Sequence, residues 1–276
     1  MPMSLRATAC KVALVVLVGG GLAAGVAMAS SAGARPTAAP PVDHQLCYSA
    51  TGAFKIPPGV RLINQFSPNG FVPKINPKVV WHCNPVQKTL PSGKSFPITN
   101  RIAHLACFTI TSPKAQQNHN VVVSNQFGSA TLVTGQPNLL CVPSWKSLTG
   151  PPKKQPTTPP GLNHFTCYSV KVAKGAYKPP TVMLKDEFTK KAVTATVNRT
   201  PTQLCLPTEK IVGGNTFKII NPAMHLLCYP VTKTPVMPTV WDENQFGTSK
   251  LSVRVTNTLC VPSIKRVITS AGRAIK

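Results

Sequence analysis

The chain has 276 residues, with 30 Lys and Arg against six Asp and Glu, and a formal net charge of +24. Its 29 prolines and few helix-forming stretches exclude a mainly α-helical protein. Such a positive excess attracts anionic partners but does not specify a fold.

The first predicted element is an export signal over residues 1–29. Arg6 and Lys11 flank the start of an apolar run, and Ala27-Met28-Ala29 fits the small-residue cleavage rule. Cleavage after Ala34 is the alternative, and an uncleaved anchor is the rival interpretation, since roughly 20 apolar residues can span a bilayer. We expect a secreted or cell-envelope protein that has no transmembrane segment after cleavage. A flexible segment, 30–42, follows the signal.

Three landmarks then recur four times in the same order. The first is His-x2-Cys, at His44 and Cys47, His104 and Cys107, His164 and Cys167, and His225 and Cys228. The second is a polar pair before a phenylalanine, at Phe66, Phe127, Phe188 and Phe246. The third is a closing cysteine with a proline two residues later, at Cys83, Cys141, Cys205 and Cys260. We refer to these copies as the first to fourth repeats.

The spacings sort the repeats into two alternating kinds. From the phenylalanine to the closing cysteine there are 17 residues in the first and third repeats and 14 in the second and fourth. The duplicated unit is therefore a pair of repeats. A Pro-rich stretch, 149–161, lies between the pairs and has the composition of a semi-rigid linker. The spacings predict two tandem domains, 43–148 and 162–276.

The residue patterns predict short β-strands throughout both domains. Apolar and polar residues alternate over Lys191 to Val197 and over Lys250 to Thr256, the period of half-buried strands. Pro and Gly interrupt the pattern every 8 to 15 residues. The predicted fold is all-β, with each domain a small β-sandwich or barrel-like structure built from two disulfide-bonded repeats.

The order of these motifs resembles a repeat of exported bacterial proteins that is known only as a domain of unknown function. The best matches are Asn125 to Gly128 with Leu140 to Ser144, and Asn244 to Gly247 with Leu259 to Ser263. The first repeat departs from the pattern with Ser67 in place of the glycine. The resemblance implies an extracellular β module and implies no activity.

The cysteines favour disulfides over a metal site. Cys10 is removed with the signal, which leaves eight, an even number in an oxidising compartment. The alternative is zinc held by His-x2-Cys pairs, but residues three apart on a strand point to opposite faces. We expect no metal or other cofactor. Pairing within each repeat is the simplest connectivity, and a crossed arrangement, Cys47 with Cys141 and Cys83 with Cys107, stays open.

The recurring histidines and phenylalanines are interpreted as structural. A histidine repeated at one position is expected to bond a neighbouring backbone carbonyl, with a pH switch or a ligand row as the alternative. The four phenylalanines are expected to be core anchors, and the Asn-Gln pairs before them to shape turns.

Little in the sequence supports catalysis. The acids are adjacent in Asp186-Glu187 and Asp242-Glu243, while glycosidases need carboxyl groups across a cleft. No nucleophile, phosphate-binding or metalloprotease motif is present. We therefore expect a non-catalytic module that binds an anionic cell-wall polymer, a polysaccharide or an extracellular protein. A purely structural surface protein is the alternative, and an extracellular hydrolase a remote one. Export and an aromatic content of only 6% disfavour nucleic acid as the partner.

Overall fold

The computed structural model describes residues 42–152, 158–189 and 191–268. The predicted export signal, the flexible segment up to residue 41 and linker residues 153–157 lie outside the described residues. Within the described part of the chain, no helix could span a membrane.

Each repeat supplies one strand with its first cysteine, a hairpin arm, and a long strand with its closing cysteine. The first repeat forms β1 (His44–Thr51), β2 (Arg61–Asn64), β3 (Ser67–Phe71), β4 (Lys74–Thr89) and β5 (Ser95–Phe96). The second forms β6 (His104–Thr111), β7 (Asn120–Asn125) and β8 (Gly128–Ser147). The third forms β9 (His164–Tyr177), β10 (Val182–Lys185), β11 (Val193–Ala195), β12 (Gln203–Val212) and β13 (Asn215–Phe217). The fourth forms β14 (His225–Pro230), β15 (Thr239–Asn244) and β16 (Gly247–Val267). The all-β prediction is confirmed.

Eight of these strands close into a ring. The antiparallel pairs run from β1 to β4, β6, β8, β9, β12, β14 and β16, and β16 pairs with β1 again. Each repeat contributes its first-cysteine strand and its long strand to this ring. Closure leaves the eight strands with no unpaired edge along the cysteine-bearing segments, where an open sheet would have two.

The structure differs from the predicted division into two domains. The described residues, from 42 to 268, belong to one compact unit. The pair β8–β9 joins the second and third repeats across the linker, and β16–β1 joins the fourth to the first. The contact between repeats is the same edge-to-edge strand pairing whether it lies within a predicted domain or between the two, so no natural boundary separates them.

Each disulfide bridges the two ring strands of one repeat. The bonds are Cys47–Cys83, Cys107–Cys141, Cys167–Cys205 and Cys228–Cys260. In every case the two cysteines are directly opposite in the strand register. The crossed connectivity that the sequence left open is therefore not adopted.

The cysteines of all four repeats pack together on one face of the ring. They form a buried cluster with the residue that follows the histidine in three repeats, Leu105, Phe165 and Leu226. Neighbouring bridges approach closely, with 4.0 Å between Cys83 Sγ and Cys107 Sγ and 3.8 Å between Cys205 Sγ and Cys228 Sγ. The period of two along each strand places these residues on one side and the apolar core on the other.

The hairpin arms pair with the repeat two positions along the ring. Strand β2 pairs with the end of β12, β7 with the end of β16, β10 with the end of β4, and β15 with the end of β8. Each arm thereby carries its Asn-Gln-Phe turn, or Asp-Glu-Phe in the third repeat, away from its own repeat. The larger apolar core lies between these arms and the face of the ring opposite the cysteines.

The alternation of 17 and 14 residues has a structural counterpart. In the second and fourth repeats the returning arm strand and the ring strand are continuous, as β8 and β16. In the first and third repeats the chain breaks between them, after β3 and after β11. In the first repeat the break is residues 72–73, and a register shift between Ile75 and Val79 of β4 lies close to it.

Candidate binding niches between neighbouring repeats

The repeated landmarks meet between neighbouring repeats, in four equivalent places that we call niches. Each niche combines the histidine of one repeat, the lysine five residues after its closing cysteine, and the Gln-Phe or Glu-Phe of the next repeat. The first niche is His44, Lys88, Gln126 and Phe127, and the second is His104, Lys146, Glu187 and Phe188. The third is His164, Lys210, Gln245 and Phe246, and the fourth is His225, Lys265, Gln65 and Phe66.

The lysines are the niche residues that the sequence motifs did not predict. Each Nζ lies over the ring of the niche phenylalanine, at 4.8, 4.5, 4.5 and 4.9 Å from the centroid in the first to fourth niches. Such placement is a cation–π contact. The signal was present in the sequence, because a lysine follows every closing cysteine by five residues.

Burial changes the acid–base properties of these lysines. Lys88 and Lys210 are fully buried, and no hydrogen-bond partner for either Nζ occurs among the described residues. Desolvation lowers the pKa of each to about 7 and that of Lys265 to about 8. Burial also lowers the pKa of Lys146, although the contact with Glu187 opposes the shift. The aromatic faces favour the charged form and work against desolvation.

The histidines contact side chains more often than backbone carbonyls. Gln126 donates through Nε2 to His44 Nε2 over 2.5 Å, and His164 Nε2 donates to Gln245 Oε1 over 2.7 Å. Only His225 bonds a nearby carbonyl, that of Ala223, and His104 Nδ1 is buried without a partner among the described residues. The carbonyl contact expected from the sequence is thus found in one repeat of four.

Burial and the nearby lysine lower the pKa of these histidines. The values are about 3 for His44 and His164 and about 4 for His225, with desolvation as the main cause and the lysine charge as the second. The pKa of His104 is also lowered, first by burial and then by Lys146. The niche histidines are therefore neutral at ordinary pH.

Two niches are filled by an aromatic side chain from the protein itself. Phe96 on β5 lies 5.3 Å from His44 between ring centroids, and Lys88 Nζ is 4.6 Å from its centroid. Phe217 on β13 repeats the arrangement, 5.5 Å from His164 and 4.8 Å from Lys210 Nζ. The first and third niches are closed by these two rings.

The other two niches open into cavities. A cavity of about 330 Å³ is lined by His104 and Glu187 of the second niche, together with Arg101 and Lys185. A cavity of about 360 Å³ is lined by His225, Lys265 and Gln65 of the fourth, together with Ile219, Pro222, Leu206 and Pro207. The two cavities are equivalent in the repeat pattern and differ in charge.

Acidic residues concentrate around the second niche. Lys146 Nζ lies 2.7 Å from Glu187 and donates to Asn84 Oδ1 over 2.9 Å. Asn84 and Tyr48 both donate to the buried carboxylate of Asp186, over 2.9 and 2.8 Å. In this niche, therefore, the lysine ammonium already has a carboxylate partner within the protein.

A second acidic contact lies close to the same niche. His82 and Asp242 are buried, with 3.2 Å between Nδ1 and Oδ2. His82 also stacks on His104 of the second niche, with 6.0 Å between ring centroids.

Each turn contacts the aromatic residue after the first cysteine of the opposite repeat, through a tyrosine hydrogen bond in the first three repeats and through packing of Phe108 on Phe246 in the fourth. Tyr168 donates to Asn64 over 3.1 Å, and Asn125 donates to the Tyr229 hydroxyl over 2.9 Å. The Asn or Asp side chain accepts from the phenylalanine N–H in all four turns, which is the turn role expected of it. Phe66, Phe127 and Phe246 are buried, and Phe188 is half-buried. The four turns therefore share this hydrogen bond.

The cysteines are consumed in disulfides, and no cluster of three or more His, Cys, Asp or Glu able to hold a metal occurs in the described ranges.

A family model described as "Repeat of unknown function (DUF7450)" matches residues 104–262, which is more than half of the chain. The match runs from the second repeat through the linker to the fourth repeat. It therefore includes the pairing of β8 with β9 across the linker. No curated protein and no solved structure matches the chain.

Proposed function

The chain belongs to the family described as "Repeat of unknown function (DUF7450)", and we propose that it is a secreted or cell-surface, non-catalytic module that binds an anionic polymer of the cell wall. The exported and bacterial character implied by the motif resemblance belongs to the same proposal. An extracellular protein with an acidic surface is the second kind of partner that this chemistry admits.

The distribution of charge carries the proposal. Among the described residues, Asp43, Asp186 and Asp242 are buried, Glu209 and Glu243 are half-buried, and Glu187 is the one exposed acid and pairs with Lys146. Thr99 and Asn100 donate to Asp43, so that carboxylate is engaged internally. The exposed cations are Lys55, Arg61, Lys74, Lys78, Lys94, Arg101, Lys114, Lys171, Lys174, Lys178, Lys185, Lys191, Arg199, Lys218, Lys233, Lys250, Arg254 and Arg266. The outside is therefore far more positive than the interior, and it attracts polyanions.

Retention on matched polymers tests the proposal. We expect the protein to be retained on immobilised dextran sulfate at low salt and released as the ionic strength rises, because surface charges are screened. Neutral dextran has the same backbone without the charge and should not retain the protein. Purified anionic wall polysaccharide should behave like dextran sulfate.

Charge variants connect the retention to the surface. Lys250 and Arg254 are exposed at alternate outward positions of β16. Replacing both with Glu should lower the salt concentration needed for release, whereas Lys250→Arg with Arg254→Lys should leave it unchanged. Absence of retention at any salt concentration would contradict polymer binding and favour the purely structural alternative.

A further inference from the structure

The fourth niche has the residues of a closed niche but lacks the ring that closes it. His225, Lys265, Gln65 and Phe66 repeat the residue types of His164, Lys210, Gln245 and Phe246 in the third niche. In the third niche Phe217 fills the space between the histidine and the lysine. In the fourth, His225 and Lys265 line a cavity of about 360 Å³.

The wall of this cavity suits an apolar group. Apart from Lys265, Gln65 and His225 it is lined by Leu206, Pro207, Ile219 and Pro222. The second niche differs, because Glu187 replaces the glutamine and pairs with Lys146. The fourth niche is thus the open copy that keeps the chemistry of the closed ones.

Phe96 and Phe217, the two rings that close niches, occupy equivalent positions in the strand pairing. Strand β5 pairs with β4 so that Phe96 is opposite Lys88, and β13 pairs with β12 so that Phe217 is opposite Lys210. The equivalent residue in the fourth repeat is Lys265, whose strand β16 pairs with β7 on one side over 264–267. Within the described residues, no second strand pairs with β16 at these positions. An added strand could therefore hydrogen-bond here, as peptides do at sheet edges.

We propose that the fourth niche binds an extended segment of a partner polypeptide, which adds a strand to β16 and inserts an aromatic side chain between His225 and Lys265. The protein displays this complex twice within itself, with Phe96 and Phe217 in the place of the partner's ring. The ring gains burial and a cation–π contact with Lys265, and the strand supplies the register. The site is separate from the basic surface of the proposed function and does not depend on it.

A peptide copied from the protein's own closing segment tests the proposal. The probe is acetyl-Ser-Phe-Pro-Ile-amide, the sequence of residues 95–98, and its control is acetyl-Ser-Ala-Pro-Ile-amide. Both peptides are uncharged. We expect titration of the full chain, followed by NMR, to show binding of the Phe peptide at least about tenfold tighter than the Ala peptide. Equal affinities of the two peptides would overturn aromatic recognition.

Matched variants locate the binding. Lys265→Met should weaken binding of the Phe peptide several-fold, whereas Lys88→Met, at the equivalent place in a closed niche, should leave it unchanged. Phe217→Ala removes the ring from the third niche but leaves β13 paired with β12, so no free strand edge is created there and the chain should still bind one peptide. Full binding by folded Lys265→Met, or a second site in folded Phe217→Ala, would contradict recognition by strand addition at β16.

Salt dependence and self-association distinguish the peptide site from polymer binding and from dimer formation. Binding of the Phe peptide should persist at a salt concentration that releases the protein from dextran sulfate, so the two proposals fail independently. Concentration-dependent self-association that Lys265→Met abolishes would overturn the assignment to a different polypeptide, because the occupant would then be a second copy of this chain.

Discussion

Lys88 and Lys210 hold an amino group where water does not reach it. The folded-state pKa of about 7 lies below the usual 10.5, so the unfolded chain binds more protons between these values. The free energy of unfolding should therefore rise as pH increases from 7 to 10.5, and this stability is lost as pH falls through 7.

Lys88→Met removes this pH dependence at one site. At pH 6 we expect the variant to be about 1–2 kcal/mol more stable than the native chain, because an unpaired buried charge is replaced by an apolar side chain of similar length. The difference should shrink toward zero near pH 10. Urea denaturation across this range measures it, with Lys250→Met as the exposed control. A difference that does not vary with pH would contradict a lowered pKa.

Tyr48 and Tyr168 make equivalent hydroxyl contacts with different acceptors. Tyr48 donates to the buried carboxylate of Asp186, and Tyr168 donates to the neutral amide of Asn64. We expect Tyr48→Phe to lower the free energy of unfolding by about 1.5–3 kcal/mol and Tyr168→Phe by about 0.5–1.5 kcal/mol, since bonds to charged groups are stronger. Chemical denaturation of both variants checks the order. Equal losses would show that the charge of Asp186 contributes nothing.

The sequence revealed part of the residue-level picture. It indicated the turn role of the Asn side chains, because Asn favours turns through its own hydrogen bonds. It did not reveal that Gln126 and Gln245 bond histidines, since those partners lie 82 and 81 residues away along the chain. The constant distance of Lys88 and its counterparts from the closing cysteines is visible in the sequence, but the phenylalanines that they contact belong to the next repeat, and the sequence does not show that contact.

The disulfides act as equivalent elements of the ring. Their sequence separations range only from 32 to 38 residues, and all four join directly opposite positions. Loop closure of this length contributes about 3.5–4 kcal/mol per bridge in the chain-entropy estimate. Replacing both cysteines of one repeat with Ala should thus lower stability similarly in every repeat.

Thermal and urea denaturation of the four double variants measures this equivalence. Losses that agree within about 1 kcal/mol support four equal bridges, because the difference in loop entropy among them is only a few tenths. A single variant that fails to fold while the other three remain stable would contradict equivalence of the repeats.

Strands were predictable where the alternation was strong. Lys250 to Thr256 lies within β16, and the cysteine-bearing runs form ring strands. The small elements β5 and β13 were missed, because two or three residues carry no detectable period. These short strands deliver Phe96 and Phe217, so the elements that close two niches were the ones that sequence patterns could not show.

Pairing between distant repeats predicts that the molecule unfolds as one cooperative unit. Within residues 43–148, strands β1 and β8 would lose the partners β16 and β9, and arms β2 and β7 would lose β12 and β16. With its disulfides formed, this half alone is expected to be unfolded or to self-associate. The intact chain is expected to unfold in one transition. Circular dichroism and amide NMR of both forms test this.

Mixing the two halves provides the control. Residues 43–148 and 162–268 together contain every strand of the ring, so an equimolar mixture should regain the spectrum of the intact chain. A monomeric, cooperatively folded half chain would instead support the two-domain prediction. The two-domain prediction rested on the duplicated spacing of the repeats. The spacing shows that a pair of repeats was duplicated, but it does not show which strands pair with each other.

Closure of the ring by β1 and β16 also makes the order of the repeats circular. In the native chain, the linker connects Ser147 at the end of β8 to His164 at the start of β9, and these two strands are neighbours in the ring. Strands β16 and β1 are neighbours in the same way, so an equivalent linker would connect Val267 to His44. We therefore expect the same fold for a circular permutant that begins at residue 162 and ends at residue 148, with a copy of the linker joining the end of β16 to the start of β1. Its four disulfides, mapped by mass spectrometry, should match those of the native chain.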